Sequence, residues 1–317
     1  MISEESFWTE EKDAPLLNRN ADHLTHASAE KAMQRAKGWV DLVEEGSSTE
    51  VDMSATCTDE ASLRIFKLDA ERTFKSPARR EAMVDVLKIL HSSVQDYHQG
   101  LGYIVSFLLL LLPKEETVRL CLNLHRKDKY VPGYWKAAPP AFVRDAKVYQ
   151  KITAHYFPQV AEHTTKLCVV PEAYAQKWLV GLCIHVLPFR ALCDFLEAFF
   201  NKGVEFLFQF TQGLIKTIEG DLLAEKDVSK VLAMLRLDAS IYADDKTAAG
   251  EDKTPGSFFG QIVQEAINFD LSEVSIDALR AEAMEEMKIE EERRKKRDAE
   301  LDEEDDEITF SDEEDDG

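Results

Sequence analysis

Two short segments of this chain carry side chains that can act together on a phosphate group. The first reads Asp-Ala-Glu-Arg-Thr-Phe over residues 69–74, and the second reads Tyr-His-Gln-Gly over residues 97–100. The planar guanidinium of Arg72 can bind two phosphate oxygens at once, which a lysine cannot do. The carboxamide of Gln99 both donates and accepts, as the orientation of an attacking water requires. Such a pair can complete a phosphoryl-transfer site in another protein.

Each of these residues also has a structural explanation. Arg72 fits a surface arginine paired with Asp69 or Glu71, a contact worth under ~1 kcal/mol. Gln99 fits a residue at a helix start whose side chain bonds the backbone. Asp69 either orients the guanidinium or caps the segment that follows, and Tyr97 either packs beside the site or contacts a partner. Residue types and spacing leave these alternatives open.

The charge of the chain argues against nucleic acid as a partner. The net charge is −22, and the eleven acids at 302–307 and 312–316 carry half of it. Acidic surfaces do not attract phosphate backbones or anionic lipids. A hydrophobic content of 44% over 317 residues is enough to build a substantial core.

The sequence is typical of a cytoplasmic protein without a membrane-inserted segment. An odd number of cysteines without a C-x-x-C motif indicates a reducing compartment. They are Cys57, Cys121, Cys168, Cys183 and Cys193. Acids occupy the first residues, where a signal peptide carries bases. The longest apolar run, 103–112, is too short to span a bilayer. His23 and His26 lack a third ligand, and no glycine-rich phosphate loop is present, so neither a metal nor a nucleotide site is expected.

Apolar spacings of three and four predict an all-α fold. No alternation of period two and no fixed-length repeat interrupts the pattern. The predicted helices cover about 28–45, 59–68, 77–95, 97–112, 144–157, 171–186, 188–200, 203–223, 228–237, 257–268 and 275–287.

Both ends of the chain are predicted to be less ordered than the middle. Residues 1–30 are polar and weakly patterned, which indicates a loose segment with at most one short helix. The charge pattern of residues 286–317 predicts a charged helix that frays into a disordered acidic tail. Ser311, followed by five acids, is a candidate phosphorylation site for an acid-directed kinase. The alternative is a tail whose charges serve only solvation.

Three short motifs, in order and at similar spacing, resemble those of the TBC-domain family of Rab GTPase-activating proteins. Arg-x-x-x-Trp occurs at 35–39, and Tyr-x-Gln occurs at 97–99. Ile-x-x-Asp-x-x-Arg occurs at 66–72, with Phe66 in place of the isoleucine. Glu71 is a further departure, because an apolar residue is commoner there and the carboxylate could occupy the neighbouring arginine.

The resemblance implies a two-lobed, all-helical domain over 31–285 that receives a GTP-bound Rab-type GTPase. It implies that Arg72 and Gln99 act in trans as an arginine finger and a glutamine finger, supported by Thr73 and Gly100. No cofactor is expected in this chain, because GTP and magnesium belong to the GTPase. The chain would then be an activator rather than an enzyme, recruited to endomembranes through its partner.

The resemblance also implies structural roles for Arg35 and Trp39. We expect Trp39 in the core and Arg35 bonded within the first lobe. Two other classes of function stay open at this point. One is a scaffold that binds a GTPase or another partner with little catalysis, and the other is an α-solenoid adaptor, which the absence of a repeat disfavours.

Overall fold

A computed structural model describes most of the chain. The described residues are 1–11, 24–45, 50–137, 139–238, 240–242 and 257–311. Within them every regular element is a helix, as the sequence predicts. None of these helices combines the length and the apolar character that crossing a membrane requires.

Fourteen α-helices are present in the described residues, together with a π-helical turn at Phe7–Glu11 and a 3-10 turn at Pro171–Ala173. The α-helices are α1 (His26–Ala36), α2 (Trp39–Glu44), α3 (Glu60–Thr73), α4 (Pro77–Val94), α5 (Gln99–Leu111), α6 (Lys114–Arg126), α7 (Pro140–Tyr156), α8 (Pro158–Lys166), α9 (Gln176–Leu179), α10 (Phe189–Lys202), α11 (Val204–Ala224), α12 (Val228–Leu235), α13 (Ser257–Ile267) and α14 (Ile276–Ser311).

The helices form two groups that share one continuous hydrophobic core. Helices α1–α6 pack mainly on one another, while α7 packs with α8, α11 and α14, and α11 packs with α12 and α13. Helix α10 contacts α1 and α2 on one side and α11 and α13 on the other, so it links the groups. This arrangement corresponds to the predicted two lobes.

The prediction of one helix over 171–186 is wrong. The segment consists of the 3-10 turn, the four-residue α9 and a series of turns. Leu182 and Cys183 have φ angles of 43° and 58°, which a right-handed helix does not allow. Nearly every residue from 178 to 187 is buried. The apolar spacing there reflects complete burial rather than one face of a helix.

Two further differences concern helices near the N-terminal half. The helix predicted over 28–45 is interrupted at residues 37–38, where Gly38 begins α2 in the N-cap position. Helix α6 is absent from the predicted set, although it is amphipathic and buries one side. Helices α4, α5, α10, α11 and α13 agree with the prediction within a few residues.

The described part of the N-terminal segment packs against the domain instead of being loose. Ile2 and Phe7 are fully buried. The buried carboxylate of Glu11 accepts hydrogen bonds from the backbone N–H groups of Lys75 and Ser76 at the start of α4. Ser76 makes no side-chain cap of its own. The acid therefore satisfies free N–H groups at a helix N-terminus, where the dipole favours negative charge.

Helix α14 runs from Ile276 to Ser311 and so crosses the predicted boundary at residue 285. Residues 312–317 lie outside the described part of the chain. The disordered acidic end, the phosphorylation of Ser311 and the division of the chain at residues 30 and 285 stay predictions.

A buried carboxylate holds α14 against α7. Asp145 is fully buried and accepts hydrogen bonds from both Arg144 and Arg280, the latter at 2.6 and 2.9 Å. The hydroxyl of Tyr134 is a third donor. Burial raises the pKa of this carboxyl, but the hydrogen bonds and charges of the two arginines outweigh burial and hold the pKa below its usual range.

Replacing Asp145 with alanine should lower the free energy of unfolding by about 3–5 kcal/mol, because two arginines lose a buried partner. Urea denaturation at pH 7 measures this, and Asp128→Ala, at an exposed position, should stay within ~0.5 kcal/mol of the wild type. The folded pKa lies below the unfolded one. The stabilisation is therefore present above about pH 4 and is lost as the pH falls through the folded pKa. A deficit that stays constant down to pH 2 would contradict this assignment.

Candidate functional site

The ends of α3 and α5 bring Arg72 and Gln99 to one depression of the surface. Helix α3 continues to Thr73, beyond the predicted end near residue 68, so Arg72 lies in its last turn. Gln99 is the first residue of α5. Both side chains are exposed, Arg72 to 66%. Both line a cavity of about 160 Å³, whose wall also includes Tyr103 and His185.

The carboxylate of Asp69 connects the residues of both motifs. One oxygen, Oδ1, accepts from Nη1 of Arg72 at 3.3 Å and lies 3.5 Å from Nε2 of Gln99. The other, Oδ2, accepts from the hydroxyl of Tyr97 at 2.8 Å. Asp69 is only 5% exposed. Of the two alternatives for Asp69, the geometry matches orientation of the guanidinium and not capping of the next segment.

Local packing fixes the position of Asp69. The hydroxyl of Thr73 donates to the backbone oxygen of Asp69 at 2.7 Å, within the last turn of α3. The ring of Phe66 packs edge-on against Tyr97 with the ring centres 4.9 Å apart. Burial, and then the charge of Asp69, raise the pKa of Tyr97. The phenol therefore stays protonated and remains a hydrogen-bond donor.

Two glycines of α5 allow close approaches that a side chain would prevent. A Cβ at Gly102 would lie 2.4 Å from the hydroxyl of Tyr97. A Cβ at Gly100 would lie 2.8 Å from the backbone oxygen and from Cγ1 of Val180. Gly102 therefore leaves room for the Tyr97 hydroxyl to reach its carboxylate. Gly100 lets the segment after α9 cover the start of α5.

His98 occupies the N-cap position of α5, beside Gln99. Its Nδ1 accepts from the backbone N–H of Gly100 at 2.9 Å, so the neutral ring carries its proton on Nε2. The side-chain amide of Gln176 lies 2.7 Å from Nε2 and can accept from it through the amide oxygen. Burial lowers the pKa of His98, which favours this neutral form. The ring does not face away from Gln99, because both residues line a second cavity of about 490 Å³.

The sequence did not single out several residues that line these cavities. Tyr103 and His185 border both cavities, and their rings pack at a right angle with centres 4.1 Å apart. Tyr103 follows Gln99 by four residues, so helical spacing could have identified it. His185 lies in the segment wrongly predicted as a helix, and no local signal indicates its position.

Glu71 does not occupy the arginine. Arg72 forms its ion pair with Asp69 at 3.3 Å, and Glu71 is exposed. A single long contact on a side chain that is two-thirds exposed contributes under ~1 kcal/mol. The guanidinium is thus oriented but can leave Asp69 at little cost.

Arg35 and Trp39 lie outside the site and join α1 and α2 to α10. Arg35 forms hydrogen bonds to Glu197 at 2.6 and 2.7 Å and to Asp194 at 2.8 Å. Trp39 is buried, as expected, and its Nε1 donates to Glu197 at 3.2 Å. Its partners belong to α10, which links the two groups of helices, so the bonding of Arg35 within the first lobe stays a prediction. The hydrogen bond from Arg35 lowers the pKa of Glu197.

Comparison with known families agrees with the motifs at this site. A sequence model described as the Rab-GTPase-TBC domain matches residues 41–223, more than half of the chain. The chain belongs to the Rab-GTPase-TBC domain family. Both Arg72 and Gln99 lie within the matched residues, whereas α1 and the helices from α12 onward lie outside them.

Individual relatives are distant and considerably longer than this chain. TBC1 domain family member 12 of Xenopus tropicalis is 26% identical over 255 residues, which are 77% of this chain and 35% of that protein. TBC1 domain family member 14 of Bos taurus is 26% identical over 239 residues, which are 71% of this chain and 34% of that protein. The chain spans about a third of the length of these relatives.

The fold is similar to a solved member of the family. The crystal structure of the Chlamydomonas flagellar RabGAP TBC domain superposes with a TM-score of 0.52 at 17% identity. The match covers 81% of each chain. At this sequence identity the similarity shows a common fold and does not assign a role to any residue.

Replacing Gly102 with alanine should destabilise the fold by about 1–3 kcal/mol, because the new methyl group displaces the Tyr97 hydroxyl from a buried carboxylate. Gly220→Ala in α11 is the matched control, since a Cβ there meets nothing within 4 Å. That change should stabilise the protein by about 0.5–1 kcal/mol. Urea denaturation measures both.

The origin of the Gly102→Ala effect can be tested in the Tyr97→Phe background. Without the hydroxyl, the nearest atoms to the new methyl group would be Cε of Met83 at 3.4 Å and the ring carbon Cζ at 3.6 Å, which are ordinary contacts. The cost of Gly102→Ala should therefore be much smaller in Tyr97→Phe than in the wild type. Equal costs in both backgrounds would show that the hydroxyl is not the cause.

Proposed function

We propose that this protein stimulates GTP hydrolysis by a Rab-type small GTPase, to which it supplies Arg72 and Gln99. The observation that carries the proposal is the shared contact of these two side chains with Asp69. Two groups of suitable chemistry, separated along the chain by 27 residues, converge on one carboxylate and both remain exposed. Membership of the Rab-GTPase-TBC domain family supports a GTPase as the partner.

The two side chains have different tasks in this reaction. The guanidinium of Arg72 neutralises charge that develops on the γ-phosphate, an effect worth about 10³–10⁵ in rate, or roughly 4–7 kcal/mol. The carboxamide of Gln99 orients the attacking water. GTP and magnesium belong to the GTPase, so this chain contributes no cofactor.

The magnitudes favour transfer of Arg72 from Asp69 to the phosphate. The ion pair with Asp69 contributes under ~1 kcal/mol, whereas the contact in the transition state contributes roughly 4–7 kcal/mol. Asp69 itself is a positioning residue, because it acts through its contacts with the two fingers. Its second oxygen stays bonded to Tyr97, so it keeps a partner when Arg72 leaves.

All five cysteines are free thiols, and only Cys168 is exposed. This state suits the reducing cytoplasm, where we place the activity. The proposal concerns the helical domain alone and not the activity of the longer relatives as whole proteins, since this chain corresponds to about a third of their length.

In a hydrolysis assay across a panel of GTP-loaded Rab proteins, Arg72→Ala and Gln99→Ala should each lower the stimulated rate at least about tenfold. Arg72→Lys should be nearly as inactive as the alanine variant, because an ammonium group cannot bind two oxygens in one plane. Arg294→Ala in α14 and Gln150→Ala in α7 are exposed controls and should match the wild type. Circular dichroism should show an unchanged helix content. Full stimulation by both finger variants, on every Rab that the wild type stimulates, would contradict the roles of Arg72 and Gln99. A wild-type chain that binds a Rab without stimulating its hydrolysis would be only a scaffold.

Replacing Asp69 with asparagine should lower kcat by about tenfold with little change in KM. The amide carries no charge and has one acceptor oxygen, so it cannot accept from Tyr97 and from both fingers, whereas the docking surface is intact. The same substitution should have no further effect in the Arg72→Ala Gln99→Ala double variant. A loss of the same size in that background would assign Asp69 a role independent of the fingers.

A further inference from the structure

The outer face of α3 carries an apolar stripe that ends at Arg72. Ala61, Ile65 and Leu68 are exposed, Ile65 to 45% and Leu68 to 40%. With Arg72 they recur at spacings of four, three and four, which places all four on one side of the helix. The opposite side, with Phe66 and Ala70, is buried in the core.

Single exposed apolar residues are ordinary on a protein surface and need no partner. Those found elsewhere in the described chain are scattered: Met53, Val170, Val228, Met284 and Ile289 lie on four different segments. The stripe differs because two large apolar side chains lie one turn apart and in line with the proposed arginine finger.

The position of Arg72 determines what covers the stripe. A helix rises 1.5 Å per residue, so Leu68 lies about 6 Å and Ile65 about 10 Å from Arg72 along the axis of α3. Even a domain of 100 residues has a radius of gyration of about 13 Å. A GTPase that receives Arg72 in its active site therefore reaches past both side chains.

We infer that Ile65 and Leu68 bind an apolar patch of the GTPase beside its nucleotide site, and that this contact governs affinity and the choice of GTPase rather than the chemical step. The inference rests on the proposed function for the identity of the partner. Neither side chain can stabilise charge or orient water, so its contribution is the burial of apolar surface. That contribution is equal in the ground state and in the transition state, and it changes KM but not kcat.

The test uses Ile65→Ser, Leu68→Ser and the double variant of the full chain. Val228→Ser and Ile289→Ser are matched controls, because these residues are also 40% exposed and lie on α12 and α14. Binding is measured to each Rab of the panel loaded with a non-hydrolysable GTP analogue. Stimulated hydrolysis is measured against increasing concentrations of GTP-loaded Rab.

We expect each stripe substitution to raise Kd and KM roughly tenfold and the double variant to raise them further, with kcat at saturation within about twofold of the wild type. The controls should leave Kd, KM and kcat unchanged. Arg72→Ala should show the opposite pattern, with low kcat and retained binding.

The outcomes separate the two proposals. Unchanged Kd and KM in the stripe variants, with Arg72→Ala inactive, overturn the inference and leave the proposed function standing. If the wild type binds a Rab but stimulates hydrolysis by no Rab of the panel, weakened binding of that Rab by the stripe variants supports the stripe as a docking surface and overturns the activator function. A wild-type chain that neither binds nor stimulates any Rab of the panel overturns both.

Discussion

The site depends on one buried carboxylate that must be hydrogen-bonded. A carboxylate as buried as that of Asp69 is costly unless donors surround it. Its donors come from two helix ends: Arg72 in the same turn of α3, and Tyr97 and Gln99 at the start of α5. Satisfying this one group holds the two ends together. It also orients a guanidinium and a carboxamide toward the same side of the molecule.

The rest of the fold serves this arrangement through close backbone approaches and through contacts between the two groups of helices. Gly102 gives the hydroxyl of Tyr97 its space, and Gly100 lets the turns after α9 lie against α5. Those turns contribute one wall of the depression. Helix α10, bonded to Arg35 through Glu197 and Asp194, links the second group of helices to the first. The ion pairs of Arg35 with Glu197 and Asp194 are thus shorter than the single 3.3 Å contact of the exposed Arg72 with Asp69.

Helix α3 is both anchored in the core and exposed at the site, because its sides differ. One side packs Phe66 and Ala70 in the core and fixes the axis of the helix. Asp69 lies between that side and the exposed stripe, so it reaches the buried hydroxyl of Tyr97 and the exposed guanidinium of Arg72 together. The buried side, the position of Asp69 and the exposed stripe therefore follow from the helix period of 3.6 residues, which places these residues at different angles around the axis.

The sequence by itself determined the all-helical class, the limits of α4, α5, α10, α11 and α13 within a few residues, and the two motif residues, Arg72 and Gln99. These follow from local spacing, in which residues three or four apart share a face. The tertiary structure decided that Asp69 contacts both Arg72 and Gln99, that Arg35 bonds a helix about 160 residues away, and that 171–186 consists mainly of turns. Each is a contact between distant segments, or burial on all sides. Periodicity within one segment carries no information about which other segment packs against it.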